Sequence, residues 1–249
     1  MRITVITLFP ELVRPWLEFG PPMHAARSGS LEVVFLNPVF YAETPKDTDD
    51  YPFGGGPGMV LRPEPLVRAI ADATQDCPGT VMLASARGRP LTQEWVHELA
   101  GADHLVLVCG RYKDVDERVL HWVDHEFSAG DFVLSGGEGP VILLLDAVAR
   151  LLSGAMGHAD SAAGDSFESG LIGPPSYTRP RSFLGQEVPE VLLGGDHARI
   201  ARWRRAMSVL YTLHRRPDLL ARGEPEPDLF EILREITKEL RRERPDESR

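Results

Sequence analysis

The sequence has little cysteine and no long uninterrupted apolar run. Its 249 residues include two cysteines, Cys77 and Cys109, which argues against a disulfide framework and against a cysteine metal cluster. The longest apolar stretch, residues 141–152, is interrupted by Asp146 and Arg150 and falls short of the roughly 20 apolar residues of a membrane-spanning helix. The first ten residues lack the apolar core and cleavage site of a signal peptide. We therefore expect a cytoplasmic protein with no membrane partner.

Acidic residues outnumber basic ones over the whole chain, but one segment is rich in arginine. The formal net charge is −10, which by itself argues against a nucleic-acid partner. Between residues 196 and 222, however, the only acids are Asp196 and Asp218, and the bases are Arg199, Arg202, Arg204, Arg205, Arg215, Arg216 and Arg222. Such a segment inside an acidic protein is a candidate surface for phosphate groups. A solvated helix face is the alternative that composition leaves open.

Apolar runs and helical patterns alternate over residues 1–150. Strands are predicted at residues 2–9, 31–36, 80–84, 104–109 and 131–134. Helices are predicted at residues 63–74, 91–100 and 140–152. This alternation predicts an α/β fold with a mostly parallel sheet covered by helices. Because the helix at 140–152 is apolar on nearly every face, we expect it to be buried all round, partly against a second subunit.

The composition changes after residue 153, where glycine, alanine, serine and proline become frequent. We expect a first domain over residues 1–158, a flexible linker over 159–176 and a small helical domain over 177–249 that ends in a charged tail. In the helical domain, Asp196 is the predicted N-cap of a helix that places Arg199, Arg202 and Arg205 on one face. A last helix is predicted to begin near Asp228.

Glycine-rich or polar loops follow three of the predicted strands, at residues 85–88, 110–112 and 135–138. Ligands of open α/β sheets bind outside the carboxyl ends of strands, so these loops predict a small-molecule pocket. The string Tyr-Pro-Phe-Gly-Gly-Gly-Pro-Gly-Met at residues 51–59 would let backbone approach a flat ligand closely, with an ordinary surface loop as the alternative. It lacks the lysine of a Walker loop, which excludes a GTP-binding protein.

Seven strings that include these loops occur in a fixed order. They lie at residues 53–59, 108–112, 116–118, 130–138, 165–167, 177–180 and 188–193. Over residues 1–220 the sequence thereby resembles the bacterial tRNA (guanine-N1)-methyltransferase family, TrmD, of the SPOUT class. The resemblance implies a deep trefoil knot in the first domain, a topology that chain-connection rules would not suggest.

The resemblance also implies a homodimer whose active sites are each shared between the two subunits. It implies S-adenosylmethionine as methyl donor and tRNA as partner, with methylation of N1 of the guanosine immediately 3′ of the anticodon (position 37). The residues that it assigns to the methyl donor are Leu83, Ala84, Ser85, Ala86, Gly110, Tyr112, Ala129, Gly130, Asp131, Phe132, Val133, Leu134, Gly136, Gly137 and Pro140.

The resemblance assigns catalysis to Asp165 and Arg150. Guanine N1 carries a proton at neutral pH, so methyl transfer calls for a base to remove it and a cation beside O6. Without the resemblance, Asp165 would be interpreted as a solvated loop acid and Arg150 as a charge at a helix C-terminus. The residues expected to bind the tRNA substrate are Asp50, Gly55, Gly56, Gly58, Arg179, Arg199, Arg202 and Arg205.

The chain departs from the family at four positions. The family string Gly-Arg-Tyr-Glu-Gly ends here in Lys113 and Asp114, and Ala86 and Gly139 replace a proline and a larger apolar residue. The resemblance implies Mg²⁺ as well, but the sequence assigns no ligand to it and predicts no metal site. Two alternatives stay open: a knotted methyltransferase that acts on another RNA position, and a tRNA-binding protein that has lost methyl transfer.

Overall fold

Nine strands and seven α-helices occur in the part of the chain that the structure describes. This computed structural model describes residues 1–156, 164–222 and 234. The strands are β1 (Arg2–Ile6), β2 (Glu32–Leu36), β3 (Asp49–Asp50), β4 (Val60–Leu61), β5 (Thr80–Pro90), β6 (His104–Cys109), β7 (His125–Ser128), β8 (Ser182–Phe183) and β9 (Gln186–Glu187). The helices are α1 (Pro10–Val13), α2 (Gly20–Arg27), α3 (Pro63–Gln75), α4 (Gln93–Ala100), α5 (Glu138–Leu151), α6 (His197–Arg215) and α7 (Pro217–Arg222).

The chain divides into two compact units, Met1–Ala159 and Asp160–Arg249. In the first unit a five-stranded sheet has the order β2-β1-β6-β5-β7, and every neighbouring pair in it is parallel. This confirms the predicted α/β class with a parallel sheet. No helix of the described residues is long and apolar enough to cross a membrane.

Alternate side chains of the strands supply two apolar layers, one on each face of the sheet. On β6, Leu105 and Leu107 belong to a buried cluster that includes residues of α2, α4 and α5. Val106 and Val108 point to the other face and join a cluster that includes residues of α3. The sheet is therefore covered by helices on both faces, and the free carboxyl ends of its strands are left for a site.

Four of the five predicted strands overlap β1, β2, β5 and β6. The loop predicted at residues 85–88 is wrong, because β5 continues through it to Pro90 with a shift of register. The strand predicted at residues 131–134 is also wrong. The fifth strand is β7, which pairs with β5 and contains the fully buried Phe127. Residues 131–134 form a loop in which the Val133 side chain is 97% exposed. The apolar run misled because its side chains surround a cavity instead of filling the core.

The helix predicted at residues 140–152 is α5, whose burial is incomplete within this chain. Val141, Leu144, Leu145 and Val148 are buried against the sheet, but Leu143 is 53% exposed. The chain by itself therefore buries part of the helix, and the expectation that a second subunit covers the rest stays a prediction. Partial burial leaves an apolar strip of α5 at the surface.

A buried hydrogen-bonded pair links β1 to β6. The Nδ1 atom of His104 lies 2.8 Å from the Cys77 carbonyl oxygen, so it carries the ring proton and donates it. Nε2 therefore accepts from the Thr4 hydroxyl at 2.9 Å. His104 is 2% exposed and Thr4 is fully buried, so no water is available to replace this bond.

We expect Thr4→Val to lower the free energy of unfolding by about 1–3 kcal/mol, because it leaves Nε2 of His104 buried without a donor. Urea unfolding measures the change. Thr4→Ser is the matched control, since it keeps the hydroxyl although it loses a methyl group. A larger loss for the serine variant than for the isosteric valine variant would contradict this account.

The second unit is organised around α6. Asp196 is its N-cap as predicted, with the carboxylate accepting from the Arg199 N–H at 3.1 Å. The Ile172 N–H donates to the Thr212 hydroxyl at 2.9 Å, which attaches part of residues 164–176 to this helix. The helix predicted near Asp228 lies outside the described residues. The flexible linker predicted over residues 159–176 and the predicted extents of the two domains, 1–158 and 177–249, stay predictions.

Candidate functional site

A cavity of about 200 Å³ lies beside the carboxyl ends of β6 and β7 and the middle of β5, where the pairing of β5 with β7 shifts register between Ala84 and Arg89. This is the edge at which open parallel sheets bind ligands. Its lining consists of Ala84, Ser85, Ala86, Gly110, Arg111, Tyr112, Lys113, Asp114, Phe127, Ser128, Ala129, Gly130, Phe132, Val133, Leu134, Ser135, Gly136, Gly137 and Pro140. The structure therefore brings together all residues predicted for the methyl donor except Leu83 and Asp131.

The two exceptions follow from the local backbone. Leu83 is fully buried in the cluster that contains residues of α3, because strand alternation turns it away from its neighbour Ala84. Asp131 is exposed and is not part of the lining. Six lining residues were not predicted from the sequence: Arg111, Lys113, Asp114, Phe127, Ser128 and Ser135. Four of these six residues are next to a predicted residue in the sequence, and this adjacency could have identified them.

The floor of the cavity is a close approach of two backbone segments. A Cβ on Gly137 would lie 2.7 Å from Cα of Cys109 and 3.0 Å from the nitrogen of Gly110. The Gly137 N–H donates to the Gly110 carbonyl at 2.8 Å. Only glycine allows α5 to begin here against the end of β6. The cavity depends on this contact because both segments line it.

Behind the floor, a buried carboxylate joins three segments. Glu138 is 4% exposed; its Oε1 accepts from the Thr7 hydroxyl at 2.8 Å, and its Oε2 lies 3.9 Å from Nη1 of Arg111. Arg111 also donates to the Ser135 carbonyl at 3.0 Å and stacks on the ring of Phe9. This network holds the 135–138 loop to the segment that follows β6.

Cys109 is adjacent to this network, and we expect its thiol to be unreactive. Burial raises the pKa of its thiol well above the usual range, and the nearby Glu138 carboxylate raises it further. The thiol therefore stays protonated and packs as a small apolar group. The other cysteine, Cys77, is partly exposed and lies elsewhere, so no disulfide joins them.

The glycine-rich string forms the loop between β3 and β4. Gly54, Gly55, Gly56 and Gly58 have φ angles of 84, 77, 105 and 94 degrees, a region that side chains rarely adopt. The Lys113 N–H donates to the Met59 carbonyl at 3.1 Å, which joins the loop to the segment after β6. The candidate substrate residues Gly55, Gly56 and Gly58 are thereby brought beside the cavity.

Lys113 lies between the glycine loop and the cavity. Its side-chain Cγ and Cε would be 3.1 and 3.2 Å from a Cβ on Gly58, and Nζ would be 3.7 Å from one on Gly56. Lys113 also lines the cavity. Tyr112, which precedes it, has φ of 60 degrees, an uncommon conformation for a residue other than glycine.

The Asp114 carboxyl is half-buried at the same wall. Burial raises its pKa above the usual value, and Glu126 and Glu117 raise it further, whereas the Val115 N–H and Arg87 lower it. Its Oδ1 accepts from the Val115 N–H at 2.8 Å. A group whose folded-state pKa is raised destabilises the fold when it is ionised, and the penalty disappears as the pH falls through that pKa.

We accordingly expect Asp114→Asn to raise the free energy of unfolding at pH 7 by less than about 1 kcal/mol. The amide oxygen can still accept from Val115, but the buried charge is gone. Urea unfolding from pH 7 down to pH 4 should show the advantage shrinking as the wild-type carboxyl takes up its proton. An advantage that grows toward acid would contradict the assignment.

In the second unit, a cleft of about 960 Å³ contains Asp165 together with four arginines. The arginines are Arg179, Arg181, Arg204 and Arg205. Of the predicted substrate residues, Arg179 and Arg205 are in this lining, whereas Arg199 and Arg202 lie elsewhere on α6. Arg181 and Arg204 were omitted by the sequence argument, although Arg204 belongs to the basic segment. The cleft can bind an anion.

Asp165 precedes a turn that is held by hydrogen bonds. The Ser166 hydroxyl accepts from the Gly173 N–H at 2.9 Å, and the Phe167 N–H donates to the Leu171 carbonyl at 2.7 Å. Phe167 has φ of 76 degrees. This turn directly follows Asp165, which lines the cleft.

The remaining predicted residues are in the first unit. Arg150 is half-buried in the last turn of α5 and is not part of the cavity lining. Asp50 lies on β3 and accepts from the Tyr51 N–H at 2.7 Å. No group of three or more His, Cys, Asp or Glu side chains suited to a metal ion occurs among the described residues.

The strand-end cavity and the arginine-lined cleft define the class: an α/β ligand-binding protein with a second unit suited to anions. The family described as tRNA (Guanine-1)-methyltransferase TrmD matches residues 1–222. A tRNA (guanine-N(1)-)-methyltransferase of Moorella thermoacetica is 47% identical over 246 residues, covering 96% of this chain and 97% of that protein. The Pseudomonas putida F1 and Pseudomonas aeruginosa UCBPP-PA14 proteins of that name are 48% and 47% identical, covering 94% of this chain and 97% and 96% of their own lengths. The chain belongs to the TrmD family.

Proposed function

We propose that the protein transfers the methyl group of S-adenosylmethionine to N1 of the guanosine immediately 3′ of the tRNA anticodon, giving 1-methylguanosine. The observation that carries the proposal is the cavity beside the middle of β5 and the carboxyl ends of β6 and β7, whose lining contains all but two of the residues that the resemblance assigns to the methyl donor. The family match over residues 1–222 supports the same activity.

The lining fits the methyl donor. Gly110, Gly136 and Gly137 present backbone to the cavity, and a Cβ on Gly137 would collide with the end of β6. Exposed N–H and C=O groups at such loops can bond the polar edge of an adenine. Phe132, Val133 and Leu134 offer apolar contact. When bound, S-adenosylmethionine supplies an electrophilic methyl group and becomes a neutral thioether once that group leaves.

Asp165 is proposed as the base and Arg150 as the cation. The Asp165 carboxylate takes the proton from guanine N1, which frees a lone pair for the methyl carbon. The Arg150 guanidinium stabilises the negative charge that develops on O6. The support is chemical, since a carboxylate and a guanidinium meet the two requirements of the reaction. The choice of Asp165 and Arg150 for these roles is implied by the resemblance to the family, and this chemistry agrees with it.

The arginine-lined cleft of the second unit is proposed to bind tRNA phosphates. Arg179, Arg181, Arg204 and Arg205 provide positive charge in an otherwise acidic protein. Phosphate contacts position an RNA without reading its sequence. Recognition of one guanine then requires that the base leave its stack and enter a pocket, where its edge is read.

A trefoil knot and a homodimer are proposed on separate grounds. The knot is proposed because the chain belongs to the TrmD family, for which the resemblance implies it. The homodimer is supported by apolar side chains that are exposed when the chain is taken by itself: Val133 is 97% and Leu143 is 53% exposed. A second subunit would cover such a surface. We further propose that active sites are shared between the two subunits.

The experiment is a methyl-transfer assay with labelled S-adenosylmethionine and two transcripts of one tRNA, with guanosine or adenosine 3′ of the anticodon. Nucleoside analysis locates the methyl group. Label on N1 of that guanine, and none on the substituted transcript, is the expected result. Methylation of another nucleotide would favour a different RNA position. Ligand binding without any transfer would favour a tRNA-binding protein that has lost the activity.

A further inference from the structure

Three charged side chains line the strand-end cavity, and all come from the segment after β6. They are Arg111, Lys113 and Asp114. The Arg111 guanidinium is engaged by the Ser135 carbonyl and by Glu138. Among the described residues, neither the Lys113 ammonium nor Oδ2 of Asp114 has a hydrogen-bond or close ion-pair partner, although Arg87 attracts the Asp114 carboxylate at longer range. One cation and one anion, adjacent in sequence, are thus available at this wall.

The rest of the lining is neutral. Apart from these three residues it consists of glycine, alanine, serine, proline and apolar or aromatic side chains. Such groups suit an uncharged nucleoside and carry no full charge to pair with the charges of an amino acid. A ligand with a nucleoside at one end and a zwitterion at the other therefore has one favourable direction, with its charged end toward residues 113 and 114.

We infer that Lys113 and Asp114 recognise the two charges of the amino-acid end of the methyl donor. The Lys113 ammonium contacts the α-carboxylate, and the Asp114 carboxylate contacts the α-ammonium. This inference rests on the proposed function, because it names how the same cavity reads its ligand. S-adenosylmethionine and its product S-adenosylhomocysteine carry the same amino-acid group, so Lys113 and Asp114 bind both in the same way.

Two further observations agree with this assignment. Asp114 is kept half-buried at a cost, as its raised pKa indicates, and a ligand ammonium would offset that cost. The resemblance also implies Glu-Gly at these two positions in the family, so the charge pair is expected to distinguish this chain. Because Lys113 also touches the glycine loop, a contact to an RNA phosphate is the competing assignment.

The test is isothermal titration of the full-length protein without tRNA, using three nucleosides. They are S-adenosylhomocysteine, its decarboxylated analogue and 5′-methylthioadenosine, which lacks the amino-acid end. Lys113→Gln should weaken S-adenosylhomocysteine about fivefold and leave the decarboxylated analogue unchanged. Asp114→Asn should weaken both of these about tenfold and leave 5′-methylthioadenosine unchanged. Lys46→Gln, at an exposed lysine outside the cavity, should change none of the three.

The outcomes separate this inference from the proposed function. If wild-type protein binds none of the three nucleosides, the proposed function itself fails. If it binds S-adenosylhomocysteine and 5′-methylthioadenosine equally well, the function stands and the charge pair is overturned. If Lys113→Gln lowers tRNA affinity in filter binding but not S-adenosylhomocysteine affinity, Lys113 contacts phosphate and the inference is overturned as well.

Discussion

Asp165→Asn is expected to slow methyl transfer by about 10²–10⁴-fold, the usual contribution of a general base. The amide cannot accept the proton of guanine N1, so the nitrogen lone pair stays unavailable to the methyl carbon. Asparagine has nearly the same shape, and the turn bonds of Ser166 and Phe167 do not involve its side chain. Single-turnover kinetics with saturating tRNA and S-adenosylmethionine measures the effect.

Binding measurements make this result specific. Asp165→Asn should keep the affinity for tRNA and for S-adenosylhomocysteine, so that the loss lies in the chemical step. Glu187→Gln is the matched control, because it removes an exposed carboxylate of the second unit that does not line the cleft. A transfer rate near that of the wild type for Asp165→Asn would show that another group is the base.

Gly137→Ala should lower S-adenosylhomocysteine affinity by about a hundredfold or more, which corresponds to roughly 3 kcal/mol. The added Cβ would lie 2.7 Å from Cα of Cys109 and 3.2 Å from Cβ of Ala84, so the floor of the cavity must open. The bond from Gly137 to the Gly110 carbonyl would be broken. Overpacking of this kind also lowers the free energy of unfolding by about 1–3 kcal/mol.

Gly139→Ala is the matched control for this change. It lies two residues further along, where a Cβ would meet only Cδ1 of Leu134, at 3.4 Å. Affinity for S-adenosylhomocysteine should stay within about twofold of the wild type. Calorimetric titration and urea unfolding of both variants provide the comparison. Equal losses for the two alanine variants would mean that helix-start flexibility matters and the close backbone approach does not.

The predicted strands show where a local pattern suffices and where it fails. The run at residues 104–109 is buried on both faces of the sheet, so its continuous apolar character identified β6 correctly. The strand β7 was missed because Phe127 is its only apolar residue. The apolar run at 131–134 borders a cavity and does not pair with a strand. An apolar run predicts a strand correctly only where its side chains are buried, and residues 132–134 are exposed around the cavity.

The candidate site was predicted in outline from the rule that ligands bind at strand ends. That rule identified the loops around Ala84, Gly110 and Gly136, and the structure brings them to one cavity. It could not identify the partners of these loops. Thr7 and Glu138 are 131 residues apart, and nothing local in either segment indicates that they bond. The same holds for Lys113 and the glycine loop.

The sequence by itself determined the family, the parallel α/β class, the N-cap at Asp196 and the glycines that positive φ angles require, because each of these depends on local order along the chain. Tertiary structure alone decided that Gly137 lies on the end of β6, that Lys113 and Asp114 stand at one cavity wall, and that Asp165 shares a cleft with arginines. These contacts join segments whose separation along the chain carries no signal. They form only when the packing of sheet and helices brings the segments together.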